Sequence, residues 1–333
     1  MKIVDKENLD EVINHISSGN IAIIPTETVY GIGAKCLDEN AVNKIFIAKE
    51  RTKNNPLNVL IAHKDMVNMV AQNITKIEND LMDKFWPGPF TIILEKKEDV
   101  PKVVTAGNNT IGVRMPRNDV TLKIIEKVGM PLAAPSANVS GKPSGTSLYD
   151  IQYEFEDRIE YFVDDGISEI GLESTVVRVV NDEILILRPG SITKEDIESL
   201  GYKCNIKESN MKSDKLKHYT PLSKCILVDS NGRNNEYLKI NEMIQNEYKD
   251  SKIIIVAKEE NITKYNNSNI LKCINMGSGK DLEEISRNIF HILRKIDEYN
   301  VDIVFIEGVS KERIGIAIMN RLIRACSYNI IEI

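Results

Sequence analysis

The sequence predicts an α/β chain of two domains, a larger one on a twisted mixed sheet and a smaller one on a parallel sheet. Three observations carry this. The 333 residues amount to about 2.2 average domains of roughly 150 residues. Short apolar runs alternate with amphipathic stretches, the pattern of layered sheet and helix rather than of a bundle or sandwich. The apolar periodicity fades once, between Tyr202 and Lys224, where lysines 203, 207, 212, 215, 217 and 224 face only Glu208 and Asp214 in a chain of net charge -6. Residues 202–224 therefore read as a basic linker between a domain of residues 1–201 and one of residues 225–333.

In the first domain Asn8 or Asp10 opens a helix in which Leu9, Val12, Ile13 and Ile16 hold helical spacing, and Gly19 supplies the stop. Residues 21–24 form a buried strand closed by Pro25. A second helix over 39–49 turns Val42, Ile45 and Phe46 inward and delivers Lys49 and Arg51 at its C-terminal end. Strands follow at 59–62, 90–94, 110–114, 132–134, 175–180 and 184–187, the last two joined as a hairpin across Asn181-Asp182-Glu183. Their connections are too uneven for a βαβ repeat, so the sheet is expected to be mixed. In the second domain strands at 226–228, 252–257, 271–275 and 302–306 alternate with helices near 235–248, 280–299 and 311–325, which implies parallel strands joined by crossovers.

Several classes are excluded. A composition of 42% hydrophobic and 28% charged residues is not that of a disordered or collagen-like chain. The net charge argues against a globally basic nucleic-acid coat, while leaving room for a local basic patch. Cysteines 36, 204, 225, 273 and 326 are odd in number and form no C-x-x-C, against a disulfide framework or a structural zinc site. The N-terminus MKIVDKENLDEV lacks an apolar signal core, and no run approaches the ~18 apolar residues of a membrane span. The chain reads as cytoplasmic, with no membrane partner. Residues 136–143 imitate a phosphate-binding Walker loop, but Ser136 replaces its first Gly and Pro143 its magnesium-binding hydroxyl residue. Gly31-Ile32-Gly33 has Cys36 where a dinucleotide fingerprint needs its third Gly. Histidines 15, 63, 218 and 291 are scattered, without the H-E-x-x-H of a zinc hydrolase.

What remains is a set of polar loops at strand ends. Residues 25–31, PTETVYG, follow a buried strand with hydroxyls, a carboxylate and a phenol. Lys49-Glu50-Arg51-Thr52-Lys53 places three cations before a strand, where Arg forks and Lys point charges can neutralise a polyphosphate; cations also simply complement a helix C-terminus. Residues 135–144 offer hydroxyl and backbone N–H donors to phosphate oxygens without being a P-loop. Arg114 with Arg117, Glu173-Ser174-Thr175 and Arg188-Pro189-Gly190 add further polar ends. Any one of these is ordinary. Together, at the edges of one sheet, they imply a basic concave pocket for a multiply charged anion, with hydroxyls for a polar second substrate. Trp86-Pro87-Gly88-Pro89 reads as a rigid corner rather than a stacking platform. Lys215, Lys217, His218 and Tyr219 read either as a solubilising stretch or as a strap over that pocket.

In order, PTETVYG, AKERTKNNPL, FWPGPFT, VRMPR, APSANVSGKPS, GLESTVV, LRPGSIT and KHYTP strongly resemble the two-domain Sua5 branch of the YrdC/Sua5 family, the L-threonylcarbamoyladenylate synthases. The likeness spans about residues 8–221 and continues more weakly to Ala317-Ile318-Met319-Asn320-Arg321-Leu322. It implies a YrdC-like catalytic domain and a small Rossmann-like companion. It also implies a nucleotidyl transfer: L-threonine, bicarbonate or CO2, and ATP with Mg2+ give threonylcarbamoyl-AMP and pyrophosphate. The product serves t6A modification at position 37 of ANN-decoding tRNAs through a separate transferase, so transient contact with tRNA or that transferase is implied.

Position by position, the resemblance implies that Thr28, Arg114, Ser174 and the backbone near Ala134 hold threonine. Lys49, Arg51, Asn55, Thr110, Ser136, Asn138, Ser144 and Arg188 would surround ATP, and His218 or Tyr219 on the linker would touch the nucleotide. Lys49, Arg51 and Arg188 would be the catalytic cations, and no protein ligand to the metal is implied. Two departures stand out. The family's usual K-G-R-P reads Lys49-Glu50-Arg51-Thr52, and Leu60 replaces a His that relatives commonly place near threonine.

The chemistry agrees with the residues. A carbamate attacking the ATP α-phosphate brings two anions together, and cations offset their repulsion; no covalent nucleophile is needed. Two other readings stay open on residues alone. One is an RNA-binding module gripping a backbone in the basic concavity. The other is a carbamoyltransferase of the hydrogenase-maturation kind, whose zinc-finger cysteines this chain lacks.

Overall fold

The computed structural model describes residues 1–207 and 219–333. They group into two compact units, residues 1–140 with 144–207, and residues 141–143 with 219–333. The first unit is built on a twelve-stranded sheet. From one edge to the other run Lys2–Asp5, Tyr161–Asp164, Ala22–Ile24, Gly31–Lys35, Leu132–Ala133, Asn58–Leu60, Thr110–Arg114, Phe90–Lys96, Thr175–Val180, Glu183–Arg188 and Cys204–Ile206, with Ala71–Gln72 paired beside Phe90–Lys96. Asn58–Leu60 lies parallel to Thr110–Arg114, which is antiparallel to Phe90–Lys96, which is parallel to Thr175–Val180. The sheet is mixed, as the uneven connections predict, and the 175–180/183–188 hairpin forms.

Helix Asp10–Ser17 buries Val12, Ile13 and Ile16. Helix Glu39–Lys49 starts where the Asp38 carboxylate accepts from the Ala41 N–H at 3.1 Å, and it buries Val42, Ile45, Phe46 and also Lys49. Each fully buried Ile or Phe side chain contributes about 1.5–3 kcal/mol, so these faces fix the helices on the sheet. Trp86 is 9% exposed and donates from Nε1 to the Phe90 carbonyl at 2.6 Å, the corner-anchoring role expected of it.

The sequence reading passes over strand Lys2–Asp5, three of whose four residues are exposed, and strand Gly31–Lys35, where two glycines blunt the β pattern. A Cβ at Gly33 would lie 3.0 Å from Ile24 Cδ1; the glycine permits that close approach. The segment 202–224 is not uniformly a linker. Cys204–Ile206 extends the sheet by pairing with Ile184 and Ile186 in parallel, so the first unit continues past residue 201. A strand of three residues is too short to leave a periodic signal.

The second unit is a parallel sheet in the order Ile270–Asn275, Ile253–Ala257, Ile303–Glu307, Cys225–Asp229, Ile330–Glu332, interleaved with helices Glu236–Asn246, Leu282–Lys295 and Ile314–Ala325. Strands Ile253–Ala257 and Ile303–Glu307 are buried at every position, and apart from Glu307 they are apolar throughout, as strands of a doubly covered sheet should be. Residues Gly141–Pro143 group with this unit: the Thr220 N–H donates to the Gly141 carbonyl at 3.1 Å and Arg294 Nη2 to the Pro143 carbonyl at 2.5 Å.

Candidate active site

Four strand ends of the first unit meet along one edge. Register pairs Phe90 with Thr175 and Val176 with Arg188, so Thr91, Ser174 and Arg188 are neighbours. Arg188 donates from Nε and Nη2 to the Ser174 carbonyl at 3.1 and 2.9 Å, and from Nη2 to Ser174 Oγ at 3.1 Å. Ser174 Oγ and Thr91 Oγ1 share a hydrogen bond of 2.8 Å. Gly190 fits this turn because a Cβ there would come 2.4 Å from the Thr175 nitrogen.

Arg114, at the end of its strand, is 6% exposed. Its Nε donates to the Gly88 carbonyl at 3.1 Å and its Nη1 to Thr28 Oγ1 at 2.8 Å, while Nη2 lies 2.5 Å from Glu27 Oε2. Glu27 is itself buried, and its carboxylate oxygens accept no hydrogen bond among the described residues. Arg114 is therefore the counter-charge that makes the burial tolerable. Beside Glu27 lies a cavity of about 150 Å3, lined also by Thr26, Tyr30, Asn118 and Ser168. Sequence reasoning gave Thr28 and Arg114 roles and noted the carboxylate of residues 25–31 without assigning Glu27 one; its signal is a carboxylate set between two threonines directly after a buried strand. Arg117, grouped with Arg114 in the sequence, instead pairs on the surface with Glu169 at 3.0 Å.

Two loops close the ring of contacts. The Tyr30 N–H donates to the Gly145 carbonyl at 2.9 Å, the Ala137 N–H to the Tyr30 carbonyl at 2.7 Å, and the Ile32 N–H to the Pro135 carbonyl at 3.0 Å. Tyr30 Oη donates to the Gly166 carbonyl at 2.7 Å. Burial pushes the phenol's pKa well above its usual value, so it remains a neutral donor. Ser144 Oγ donates to Glu173 Oε1 at 2.7 Å, which ties the second loop to the residue before Ser174.

Lys49 is 1% exposed. Its Nζ donates to the Ser136 and Asn138 carbonyls, both at 2.5 Å, and its own carbonyl accepts from the Ser140 N–H at 3.0 Å. Ser136 Oγ donates to Asn138 Oδ1 at 2.6 Å. A side chain expected to face a phosphate is thus also the brace of the loop expected to bind it. Arg51 is half-buried and donates from Nη2 to the Pro56 carbonyl at 3.2 Å. Asn55 closes a turn on the Thr52 carbonyl.

The structure therefore joins Thr28, Arg114, Ser174 and Arg188 in one arc and Lys49, Ser136 and Asn138 in another, with the Tyr30 loop between them. Thr110 begins the five-residue strand that Arg114 ends, about 13 Å away at 3.3 Å per residue. Ala134 donates its N–H to the Asn58 carbonyl at 2.8 Å. Leu60 is a core residue, 3% exposed and in register beside Arg114, so it brings methyl groups and no polar contact. Tyr219 lies in the second unit, its ring centroid 5.1 Å from that of Phe290; His218 falls outside the described residues.

Known proteins share this architecture. A family model named for Sua5, YciO and YrdC and described as "Telomere recombination" matches residues 14–190, and one described as "Threonylcarbamoyl-AMP synthase, C-terminal domain" matches residues 192–327. The chain is 38% identical over 327 residues to the threonylcarbamoyl-AMP synthase of Pyrococcus abyssi, covering 96% of this chain and 94% of that one. It is 35% identical over 329 residues to that of Bacillus subtilis, covering 95% and 92%. A crystal structure of Pyrococcus abyssi Sua5 with L-threonine aligns with a TM-score of 0.91 at 36% identity over 100% of both chains. Escherichia coli YciO, at 19% identity and a TM-score of 0.50, shares the fold over 56% of this chain and 93% of its own. Matched along both units, the chain belongs to the two-domain Sua5 family of threonylcarbamoyl-AMP synthases, enzymes that transfer a nucleotidyl group.

Proposed function

We propose that the ring of loops in the first unit binds L-threonine and ATP and, with bicarbonate or CO2, forms threonylcarbamoyl-AMP and pyrophosphate. The observation that carries this reading is the buried Arg114 guanidinium, aligned by Thr28, the Gly88 carbonyl and Glu27 one strand away from the Arg188–Ser174 pair. A guanidinium flanked by hydroxyls suits an α-carboxylate with a neighbouring hydroxyl. The relative crystallised with L-threonine supports the same ligand. Thr28, Arg114 and Ser174 then hold threonine with the backbone at Ala134, and Leu60 packs against it. Lys49, Arg51, Asn55, Thr110, Ser136, Asn138, Ser144 and Arg188 serve the nucleotide.

The chemistry follows from charge. The neutral amine of threonine adds to CO2, forming the N–C bond and releasing a proton to solvent, to give a carbamate. A carbamate oxygen attacks the α-phosphorus, the bond to the β-phosphate oxygen breaks, and pyrophosphate leaves. Two like charges at 4 Å repel by about 4 kcal/mol at an effective dielectric of 20, so Lys49, Arg51 and Arg188 lower the barrier by lying where both anions converge. Among the described residues no three His, Cys, Asp or Glu side chains converge as a metal cage. Mg2+ would come with ATP and would supply neutralisation of phosphate charge there.

The product is a mixed anhydride that water hydrolyses, so it suits direct hand-over to the transferase that modifies tRNA, and transient contact with that enzyme or with tRNA is part of the proposal. No helix among the described residues is long and apolar enough to cross a membrane, and we place the reaction in the cytoplasm. Crystals soaked with L-threonine and a non-hydrolysable ATP analogue test the assignment. The threonine carboxylate is expected within hydrogen-bond reach of Arg114 and a hydroxyl of Thr28 or Ser174; density for it elsewhere contradicts the assignment.

A further inference from the structure

Helix Glu39–Lys49 ends on Glu50 at φ 52° and ψ 40°, a left-handed conformation that glycine adopts freely and residues with a Cβ do not. The turn is a Schellman motif: the Glu50 N–H donates to the Ile47 carbonyl at 3.2 Å and the Arg51 N–H to the Phe46 carbonyl at 3.0 Å. A helix leaves its last four carbonyls without intrahelical partners. Here Phe46 and Ile47 are served by the turn and Lys49 by the Ser140 N–H. Ala48 is served by Arg158, whose Nη1 donates to its carbonyl at 2.9 Å. The same guanidinium places Nη2 2.6 Å from Glu50 Oε1. One side chain thus grips the residue before Lys49 and the residue after it. Its rigid fork can reach both acceptors at once, and its charge complements the helix C-terminus.

We propose that Arg158 is a positioning residue for Lys49, needed because Glu50 occupies a place whose backbone suits glycine. Arg158 holds Glu50 in the left-handed region and fixes the last turn. The Lys49 ammonium, buried against Ser136 and Asn138, thereby stays in register with the loop it braces. In this proposal Arg158 acts through Lys49 and not on the substrate. It follows helix Leu148–Phe155 in the chain, outside the sequence motifs assigned to the reaction. The inference rests on the assignment of Lys49 to the nucleotide.

The test is a double-mutant cycle in the full chain: Arg158→Ala, Glu50→Gly and the pair, with kcat and KM for ATP and for threonine, and Tm, measured for each. Arg158→Ala alone is expected to lower kcat/KM for ATP about tenfold and to leave KM for threonine within about twofold. Glu50→Gly alone stays near the parent, and in its background Arg158→Ala costs no more than about threefold, because glycine holds the turn unaided. Arg158→Lys, which can reach one acceptor but not both, falls between. Equal losses in the two backgrounds, or a fall in Tm with unchanged kinetic constants, overturn the proposal. Unchanged activity in Lys49→Ala would instead overturn the placement of Lys49, which separates the two failures.

Discussion

Replacing Lys49 by alanine is expected to lower turnover by at least about 100-fold and to cost stability as well. Removal of a positioned electrostatic group from a transition state typically costs 10²–10³ in rate, and Lys49 braces the loop proposed to hold the nucleotide. Yet Lys49 is not a surface cation that can be removed freely. Its ammonium is bonded to the Ser136 and Asn138 carbonyls, and each buried acceptor left without a donor costs about 1–3 kcal/mol. A melting temperature lower by several degrees should therefore accompany the loss of activity, at about 2–4 °C per kcal/mol for a domain of this size. Steady-state pyrophosphate release and calorimetry on one preparation check both parts. Activity within about threefold of the parent with a lowered Tm would confine Lys49 to a structural role.

The second large effect is expected at Arg114. Arg114→Ala leaves the Glu27 carboxylate buried without its counter-charge, a loss of about 3–5 kcal/mol when one partner of a buried pair is removed. Adding Glu27→Gln should restore part of that stability by removing the charge. It should not restore threonine binding, since the guanidinium is still absent. Arg114→Lys separates the two roles from the other side: the ammonium keeps a positive charge near Glu27 but cannot reproduce the fork that reaches Gly88, Thr28 and Glu27 together. Charge-assisted hydrogen bonds are worth about 1.5–3 kcal/mol, so KM for threonine should rise about 10- to 150-fold in Arg114→Lys while the protein stays folded. Thermal melts and threonine titrations of the three variants decide this. A KM unchanged in a folded Arg114→Lys would remove Arg114 from the threonine site.

Much of this site is legible along the chain. Polar clusters directly after buried strands mark the Pro25–Tyr30 and Pro135–Ser144 loops, and the position of Lys49 follows from helix periodicity, because Val42, Ile45, Phe46 and Lys49 form one i, i+3, i+4, i+7 stripe. That stripe also carries the information that Lys49 is buried, which a count of charges alone overlooks. Helices Lys76–Phe85 and Leu148–Phe155 announce themselves through capping boxes, Thr75 with Glu78 and Ser147 with Asp150; a reading centred on strands passes over them. Other features leave no local trace. The partner of Glu27 lies 87 residues away at Arg114, and Arg158 reaches Ala48 across 110 residues. Packing of helices and loops on the whole sheet brings those groups together, and no local pattern records it. Strand Gly31–Lys35 is hidden for the opposite reason, since its glycines serve close packing rather than β propensity.

The central claim is that this chain joins threonine, inorganic carbon and AMP in one molecule. Full-length protein incubated with L-threonine, ATP, Mg2+ and 13C-bicarbonate, followed by mass spectrometry, tests it most directly. The account predicts an adenylate that carries threonine and a single 13C, formed together with pyrophosphate and absent when threonine or ATP is omitted. Folded protein that yields no such adenylate, or that cleaves ATP without incorporating 13C, would contradict it.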